Sequence, residues 1–499
     1  MRCRPLVVLL VLGAACSMLP ATAGASPNQL SIFHDEPVLR GFTDKDADQA
    51  MAEVKYLGAD MVRTFVSWRD VAPRVNSRVM PAGFRPGDPD SPGYDWSNYD
   101  AFVNRAERHG LQIYFAISPP LPNWASDEPS VCPHAIAGRR KLGKSCFWKP
   151  NTRQFALFVQ AVARRYAGRV SLYSLWNEPN LEHYLFPQLK TTRFGVVDVA
   201  AKRYRSLWLR GWRAIARHDP SMRNKVLFGE TAAISSPVDT LRAALCLDPE
   251  GRPFRGRMRA LQGCENPRRL PVGGFAHHPY GQSASGGVFK RSGSDDSLAM
   301  GYLGRLHDVI DGAARRGRIP PRREIYLSEF GFQSKPPDRF NGLSLGAQAR
   351  SLNEADRLFY KDRRIRSVAQ FELYDAPEPR NRDVFNTGLR FIDGGLKPAW
   401  KAYRIPLTVE RIAPGVVEVW GQVRPAQGRV TALVKANRRR DGRRFRVRRV
   451  RTNGSGFFQI RVRRGDAEQL RYLLAWRAPS GEPMRSRVAR AGAFIRPLE

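Results

Sequence analysis

From residue 28 onward, short apolar runs alternate with longer amphipathic ones. Residues 30–33, 61–68, 111–117, 170–176, 225–228, 272–276, 324–327 and 368–373 are brief and rich in Val, Ile, Leu and aromatic side chains, the pattern of buried strands. Between them, 44–57, 99–109, 152–166, 200–217, 298–314 and 345–360 carry apolar residues at helical spacing, and 388–403 ends in a further helix. Gly110 closes one helix and immediately precedes a strand. Eight such alternations over about 370 residues predict a (β/α)₈ barrel, the TIM-barrel class of α/β fold. An open doubly wound sheet is the competing topology, but no Gly-x-Gly-x-x-Gly follows the first strand.

After Pro406 the helical period disappears. Short alternating stretches take over at 416–420, 430–434, 445–450, 457–462 and 470–476, separated by Gly, Asn-Gly and Pro-Ser-Gly turns. This texture predicts a small all-β sandwich of immunoglobulin-like type over 407–499, following a barrel domain over 26–406.

The first 25 residues have a different pattern. Arg2 and Arg4 precede an apolar stretch from Pro5 to Cys16, and Ala23-Gly24-Ala25 supplies small residues for cleavage. This is the pattern of a secretory signal, and the apolar run is shorter than the ~20 residues that a membrane span needs. The expectation is an exported protein without a transmembrane anchor. Cys132, Cys146, Cys246 and Cys264 would remain after cleavage, an even number that suggests disulfides. Of the three possible connectivities, the local one, 132–146 with 246–264, is expected. No Cys-x-x-Cys spacing favours zinc.

Composition and charge change the picture in one respect. The chain has 499 residues, 42% of them hydrophobic, and a net charge of +36. The apolar fraction excludes a disordered polyelectrolyte, and the charge raises the question of a nucleic-acid partner. The charge is unevenly spread. Residues 407–499 hold 22 basic and 7 acidic side chains, against 58 and 39 in 26–406. Residues 429–451 alone hold eleven basic residues and one acid. Export and the lack of a recognition motif among these charges argue against nucleic acid. Attachment to an anionic glycan or to the cell envelope through 407–499 is one reading of the charge, and a general compositional bias toward Arg, 68 of the 82 basic residues, is the other.

A barrel of this class places its chemistry at the C-terminal ends of the strands. The polar residues there are Arg63 after strand two, Trp124 beyond strand three, Asn177-Glu178 after strand four, and Glu230 after strand five. His277-His278 and Tyr280 follow strand six, Glu329 strand seven, and Glu372, Tyr374 and Asp375 strand eight. Glu178 and Glu329, from strands four and seven, would face each other across the barrel. Glycoside cleavage needs such a pair, one carboxyl to protonate the leaving oxygen and one to attack the sugar carbon. Glu230 and Glu372 are expected instead as buried partners of Arg63 or as supports of the site, and His277 as packing.

These segments resemble glycoside hydrolase clan A. Trp176-Asn177-Glu178-Pro179 is similar to its strand-four signature, and Ser328-Glu329-Phe330-Gly331 to its strand-seven nucleophile segment. Val62-Arg63-Thr64, Pro122-Asn123-Trp124-Ala125 and His278-Pro279-Tyr280 resemble the strand-two, strand-three and strand-six patterns of families 5 and 39. The resemblance covers about residues 30–405. It implies a retaining glycoside hydrolase with Glu178 as acid/base and Glu329 as nucleophile. Arg63, Trp124, Asn177, His278, Tyr280 and Tyr374 would bind a poly- or oligosaccharide. It implies no cofactor and no metal. The family's usual strand-eight Trp is absent from Phe371-Glu372-Leu373-Tyr374-Asp375, and Tyr374 is the expected replacement. A non-catalytic glycan-binding or envelope-associated protein on the same barrel is the alternative.

Overall fold

A computed structural model of the chain describes residues 26–132, 145–281, 297–377, 385–438, 444–496 and 498, with the backbone alone at 136–137 and 140–141. The expected secretory signal, 1–25, lies outside the described residues.

The barrel strands are β1 (Leu30–His34), β2 (Met61–Ser67), β3 (Gln112–Ser118), β4 (Leu172–Leu175), β5 (Val226–Ala232), β6 (Gly274–His278), β7 (Ile325–Phe330) and β8 (Ile365–Phe371). They close into one barrel of eight parallel strands, β8 pairing back onto β1. Each strand is buried on both faces, which is why the apolar runs in the sequence are nearly continuous. One residue from every strand fills the barrel interior: Ile32, Met61, Tyr114, Leu172, Leu227, Ala276, Tyr326 and Ala369. Their neighbours, among them Phe33, Val62, Phe115, Tyr173, Phe228, Phe275 and Leu327, face outward into the helix layer.

That layer includes α1 (Ala47–Tyr56), α2 (Ser97–Arg108), α3 (Thr152–Arg165), α4 (Val199–His218), α5 (Pro237–Ala244), α6 (Gly304–Arg315), α7 (Leu345–Tyr360) and α8 (Pro398–Arg404). The α3 start is set by Asn151, whose side chain accepts from the backbone of Arg153 and Gln154. Helix α5 has no counterpart in the sequence reading, because Pro and Gly at 249–256 break the periodicity after only eight helical residues. The loop beyond it is closed by a disulfide between Cys246 and Cys264. Cys132 and Cys146 form a second, so the local pairing holds.

Three strands run further than their apolar pattern indicates. Strands β5, β6 and β7 continue through Glu230-Thr231, His277-His278 and Ser328-Glu329. These residues are polar yet buried, so hydropathy ends the strand before hydrogen bonding does.

Beyond α8, strands β9 (Leu407–Ala413), β10 (Val416–Gln422), β11 (Thr431–Asn437), β12 (Arg444–Arg451), β13 (Phe457–Arg463), β14 (Arg471–Arg477), β15 (Pro483–Arg485) and β16 (Ala489–Gly492) form the expected all-β unit. Its two layers are joined through β16, which pairs with β9 on one side and β14 on the other, giving one continuous path from β12 to β13. Val409, Val417, Val434, Val450, Leu474 and Trp476 belong to its core.

This unit is docked on α7. Arg357 Nε donates to Glu410 Oε2 (2.8 Å) and its other arm to Glu418, while Lys361 Nζ reaches Glu410 Oε1 at 2.8 Å. Tyr360, Trp420 and Phe457 stack beside these charges.

Candidate active site

Side chains along a strand alternate between its faces, so His34, Arg63, Ser174 and His278, two residues beyond Ile32, Met61, Leu172 and Ala276, share the interior with the apolar plug and lie above it, toward the strand C-termini, where the Tyr114 hydroxyl meets them. His277 has the opposite phase. Its ring bonds the Thr231 hydroxyl (2.9 Å) and the Leu298 carbonyl (2.7 Å), the packing role expected for it.

Arg63 is the centre of the assembly and is fully buried. Its Nη1 donates to Glu329 Oε1 and approaches His34 Nδ1, both at 2.7 Å, and its Nη2 donates to Glu230 Oε2 at 2.9 Å. Glu230 also accepts from Ser174, Ser328 and Tyr114, and its Oε2 is 2.7 Å from His278 Nε2. The other nitrogen of that ring, Nδ1, is 2.9 Å from Glu178 Oε1 and 3.7 Å from Glu329 Oε2. Tyr280 donates its hydroxyl to Glu329 Oε2 at 3.4 Å. Four expected site residues, Arg63, His278, Tyr280 and Glu329, are thus joined to Glu178 in one hydrogen-bonded cluster, with Glu230 as its buried anchor.

The backbone that carries these groups is unusual. Trp176 (φ 72°), Glu178 (φ 41°) and Glu230 (φ 48°) all adopt left-handed conformations, which cost a non-glycine residue on the order of 1–3 kcal/mol each. Gly229 makes the Glu230 turn possible: its φ is +113°, and a Cβ there would lie 2.5 Å from the Ala276 carbonyl of β6.

The environment separates the carboxyls by charge state. Burial pushes Glu178 above the ordinary glutamate range, only partly opposed by the His278 hydrogen bond, and the charges of Glu329 and Glu230 push it the same way. Burial also acts on Glu329, but His278 and Arg63 outweigh it and hold that carboxyl well below the range. Glu230 is likewise pulled down to about 2 despite burial, by Arg63 and His278. Burial disfavours a charged His278, yet Glu329, Glu178 and Glu230 together raise it to about 10. The cluster thus sets a carboxyl whose protonated form is favoured, Glu178, beside two carboxyls held ionised by the Arg63 guanidinium and the His278 imidazolium.

The remaining expected residues divide. Asn177 is buried beside Glu178, and its Oδ1 has no hydrogen-bond partner. Trp124 is not brought into the cluster. It is 6% exposed, packs on Trp68 and Phe84, and gives its indole N–H to the Pro73 carbonyl. Tyr374 lies apart too, partly buried against the core with its ring beside Lys45 and Arg390. The aromatic residue at the end of β8 that does reach the site is Phe371, whose ring meets His34 (5.1 Å between centroids), Tyr280 (6.4 Å) and Phe385 (5.4 Å). Glu372 is buried next to it, and Asp35, Asp375 and Glu329 add to burial in raising its carboxyl well above the usual range. Phe371 and His34 were not anticipated. The signal for His34 was its position at the last residue of the first strand, in phase with the interior.

Among the described residues no group of three or more His, Cys, Asp or Glu could hold a metal ion.

The fold and the cluster define the molecule as a barrel with a buried carboxylate–imidazole–guanidinium centre at its strand C-termini. No family model and no curated protein matches the chain. Solved structures similar to it include a family 39 glycoside hydrolase from the gut symbiont Bacteroides cellulosilyticus WH2, at 13% identity and a TM-score of 0.46, covering 89% of this chain and 80% of that one. A β-glucuronidase from Ruminococcus gnavus (13% identity, TM-score 0.39) and a β-galactosidase from the psychrophilic Marinomonas ef1 (13%, 0.39) are each matched over 75% of this chain. The chain spans 50% and 58% of the length of those two proteins. Likeness at this level carries no argument about chemistry, which rests on the chain's own residues.

Proposed function

We propose that this protein is an exported glycoside hydrolase that cleaves O-glycosidic bonds of a poly- or oligosaccharide with retention of configuration. The observation that carries the reading is that Glu178 and Glu329 touch the same imidazole nitrogen, at 2.9 and 3.7 Å, while their surroundings push their ionisation in opposite directions. Two titratable groups driven apart in this way are suited to act as acid and nucleophile.

In the first step Glu178 donates its proton to the glycosidic oxygen as the Glu329 carboxylate attacks the anomeric carbon. Arg63 on Oε1 and Tyr280 on Oε2 fix the nucleophile's orientation. Bond formation removes the negative charge of Glu329, which is one of the influences raising Glu178. Glu178 then ionises more readily and can take a proton from the water that releases the sugar. The contacts of both carboxyls with one nitrogen, at 2.9 and 3.7 Å, keep them near each other, as a double displacement with carboxyls ~5–5.5 Å apart requires. Asn177, with its unpartnered carbonyl oxygen, is positioned to meet a sugar hydroxyl. Two disulfides, and no helix among the described residues long and apolar enough to cross a membrane, are compatible with export.

The test is hydrolysis of a panel of polysaccharides and aryl glycosides, with the product anomer read by NMR. Glu178→Gln and Glu329→Gln should each nearly abolish turnover while circular dichroism stays unchanged. Full turnover in either variant rejects the assignment. Glycan binding with no hydrolysis across the panel favours the non-catalytic alternative.

A further inference from the structure

One outer face of the β unit is a cationic groove. The strand register places Arg444 of β12 opposite Asn437 of β11, Asn437 opposite Arg471 of β14, and Arg471 opposite Arg490 of β16. The next row holds Arg446 opposite Lys435, and Lys435 opposite Leu473. Alternation along β11 sends Ala432, Val434 and Ala436 into the core and leaves Leu433, Lys435 and Asn437 facing out. Lys435, Arg444, Arg471 and Arg490 converge on a cavity of about 350 Å³ floored by Leu473 and walled by Val488.

Like charges directly opposite on neighbouring strands repel, so a face of this kind asks for a counter-charge. Among the described residues the β unit's own acids do not supply one. Glu410 and Glu418 are spent on Arg357 and Lys361 of α7. Asp466 pairs with Arg438 and Arg464, Glu468 takes the Gly415 N–H, and Glu482 meets Tyr56 and Arg404 on the barrel side. Among the described residues none forms an ion pair with Lys435, Arg444, Arg471 or Arg490. The Arg471 Nε is moreover buried without a hydrogen-bond partner.

We infer that this groove is a binding site for an extended carboxylated polysaccharide, a polyuronate, held outside the barrel by Arg444, Arg471, Arg490 and Lys435. Guanidinium groups take carboxylates in a two-point fork, and three lie in one row across strands spaced about 4.8 Å apart. The cavity's described lining includes no aromatic residue, whereas sequence-tolerant binding of single-stranded nucleic acid relies on aromatic stacking platforms. That favours the polysaccharide. The site goes beyond the hydrolase reading and does not depend on it.

The experiment is titration of the full protein with polygalacturonate, by calorimetry, at low and near-physiological salt, with dextran as a neutral polymer and a DNA duplex and a single strand as phosphate polymers. The combined variant Arg444→Gln/Arg471→Gln/Arg490→Gln is compared with Arg210→Gln/Arg213→Gln/Arg217→Gln, which removes equal charge from the exposed side of α4. The groove variant should weaken polygalacturonate binding about tenfold or more, and the α4 variant by less than about twofold. Arg490→Gln alone, at the exposed end of the row, should give a smaller loss in the same direction should the triple variant fold poorly. Equal loss in both triple variants, no binding by the wild type, or tighter binding to either DNA than to polygalacturonate overturns the proposal. Glu329→Gln should bind polygalacturonate like the wild type, so failure of the groove and failure of the hydrolase reading are told apart.

Discussion

His278 Nδ1 lies 2.9 Å from Glu178 Oε1 while its Nε2 lies 2.7 Å from Glu230 Oε2, so one imidazolium ties the proposed acid to the buried anchor of the site. Its hydrogen bond lowers Glu178 and its charge lowers Glu329. His278→Gln should therefore shift both limbs of the kcat/KM–pH profile upward. A profile that loses height without moving would assign His278 to packing alone.

The same ring predicts a pH dependence of stability. Its folded value is raised to about 10 from 6.5, so its contribution is fully present below pH 6.5 and is lost as pH rises toward 10. Urea midpoints should fall over that window in the wild type and less steeply in His278→Gln.

Glu178 as a general acid matters most for poor leaving groups. Glu178→Ala should slow alkyl glycosides by about 10²–10⁴ and dinitrophenyl glycosides far less, because their leaving oxygen needs no proton in the first step. Equal losses on both substrates would remove Glu178 from that role.

Arg63 is fully buried and neutralises Glu230 and Glu329. Arg63→Met strands two carboxylates and should cost about 3–5 kcal/mol in chemical denaturation. Arg63→Lys should restore part of the stability but not the activity, since an ammonium cannot reproduce the two-armed contact.

The joint between barrel and β unit gives a fifth expectation. Arg357→Ala removes the guanidinium shared by the buried Glu410 and Glu418, leaving Lys361 at 2.8 Å from Glu410 and only the longer Arg461 contact, 3.7 Å, on Glu418. A loss of about 3–5 kcal/mol, with the β unit melting before the barrel, should appear in calorimetry. A single unchanged transition would mean that the aromatic stack of Tyr360, Trp420 and Phe457 and the other ion pairs across the joint, among them Arg424–Asp356 and Arg404–Glu482, hold it without Arg357.

Much of this protein was legible in its residues. Strands buried on both faces gave uninterrupted apolar runs, and the helices between them kept their period, so the barrel followed from pattern alone. Glu178, Glu329, Arg63 and His278 could be picked out because strand ends are where such a barrel exposes chemistry, and the His278-Pro279-Tyr280 pattern set His278 apart from His277. The sequence missed the ends of β5, β6 and β7, where buried polar side chains imitate a loop, and β9, β15 and β16, where alternation is short or interrupted. It also proposed Trp124 and Tyr374 as sugar contacts, which the structure keeps apart from the carboxyl cluster, while Phe371 and His34 stand beside it. Only the closed barrel decides such matters. Residues far apart in the chain meet at a distance set by strand register, and the charge state of each carboxyl depends on which guanidinium or imidazole that register delivers.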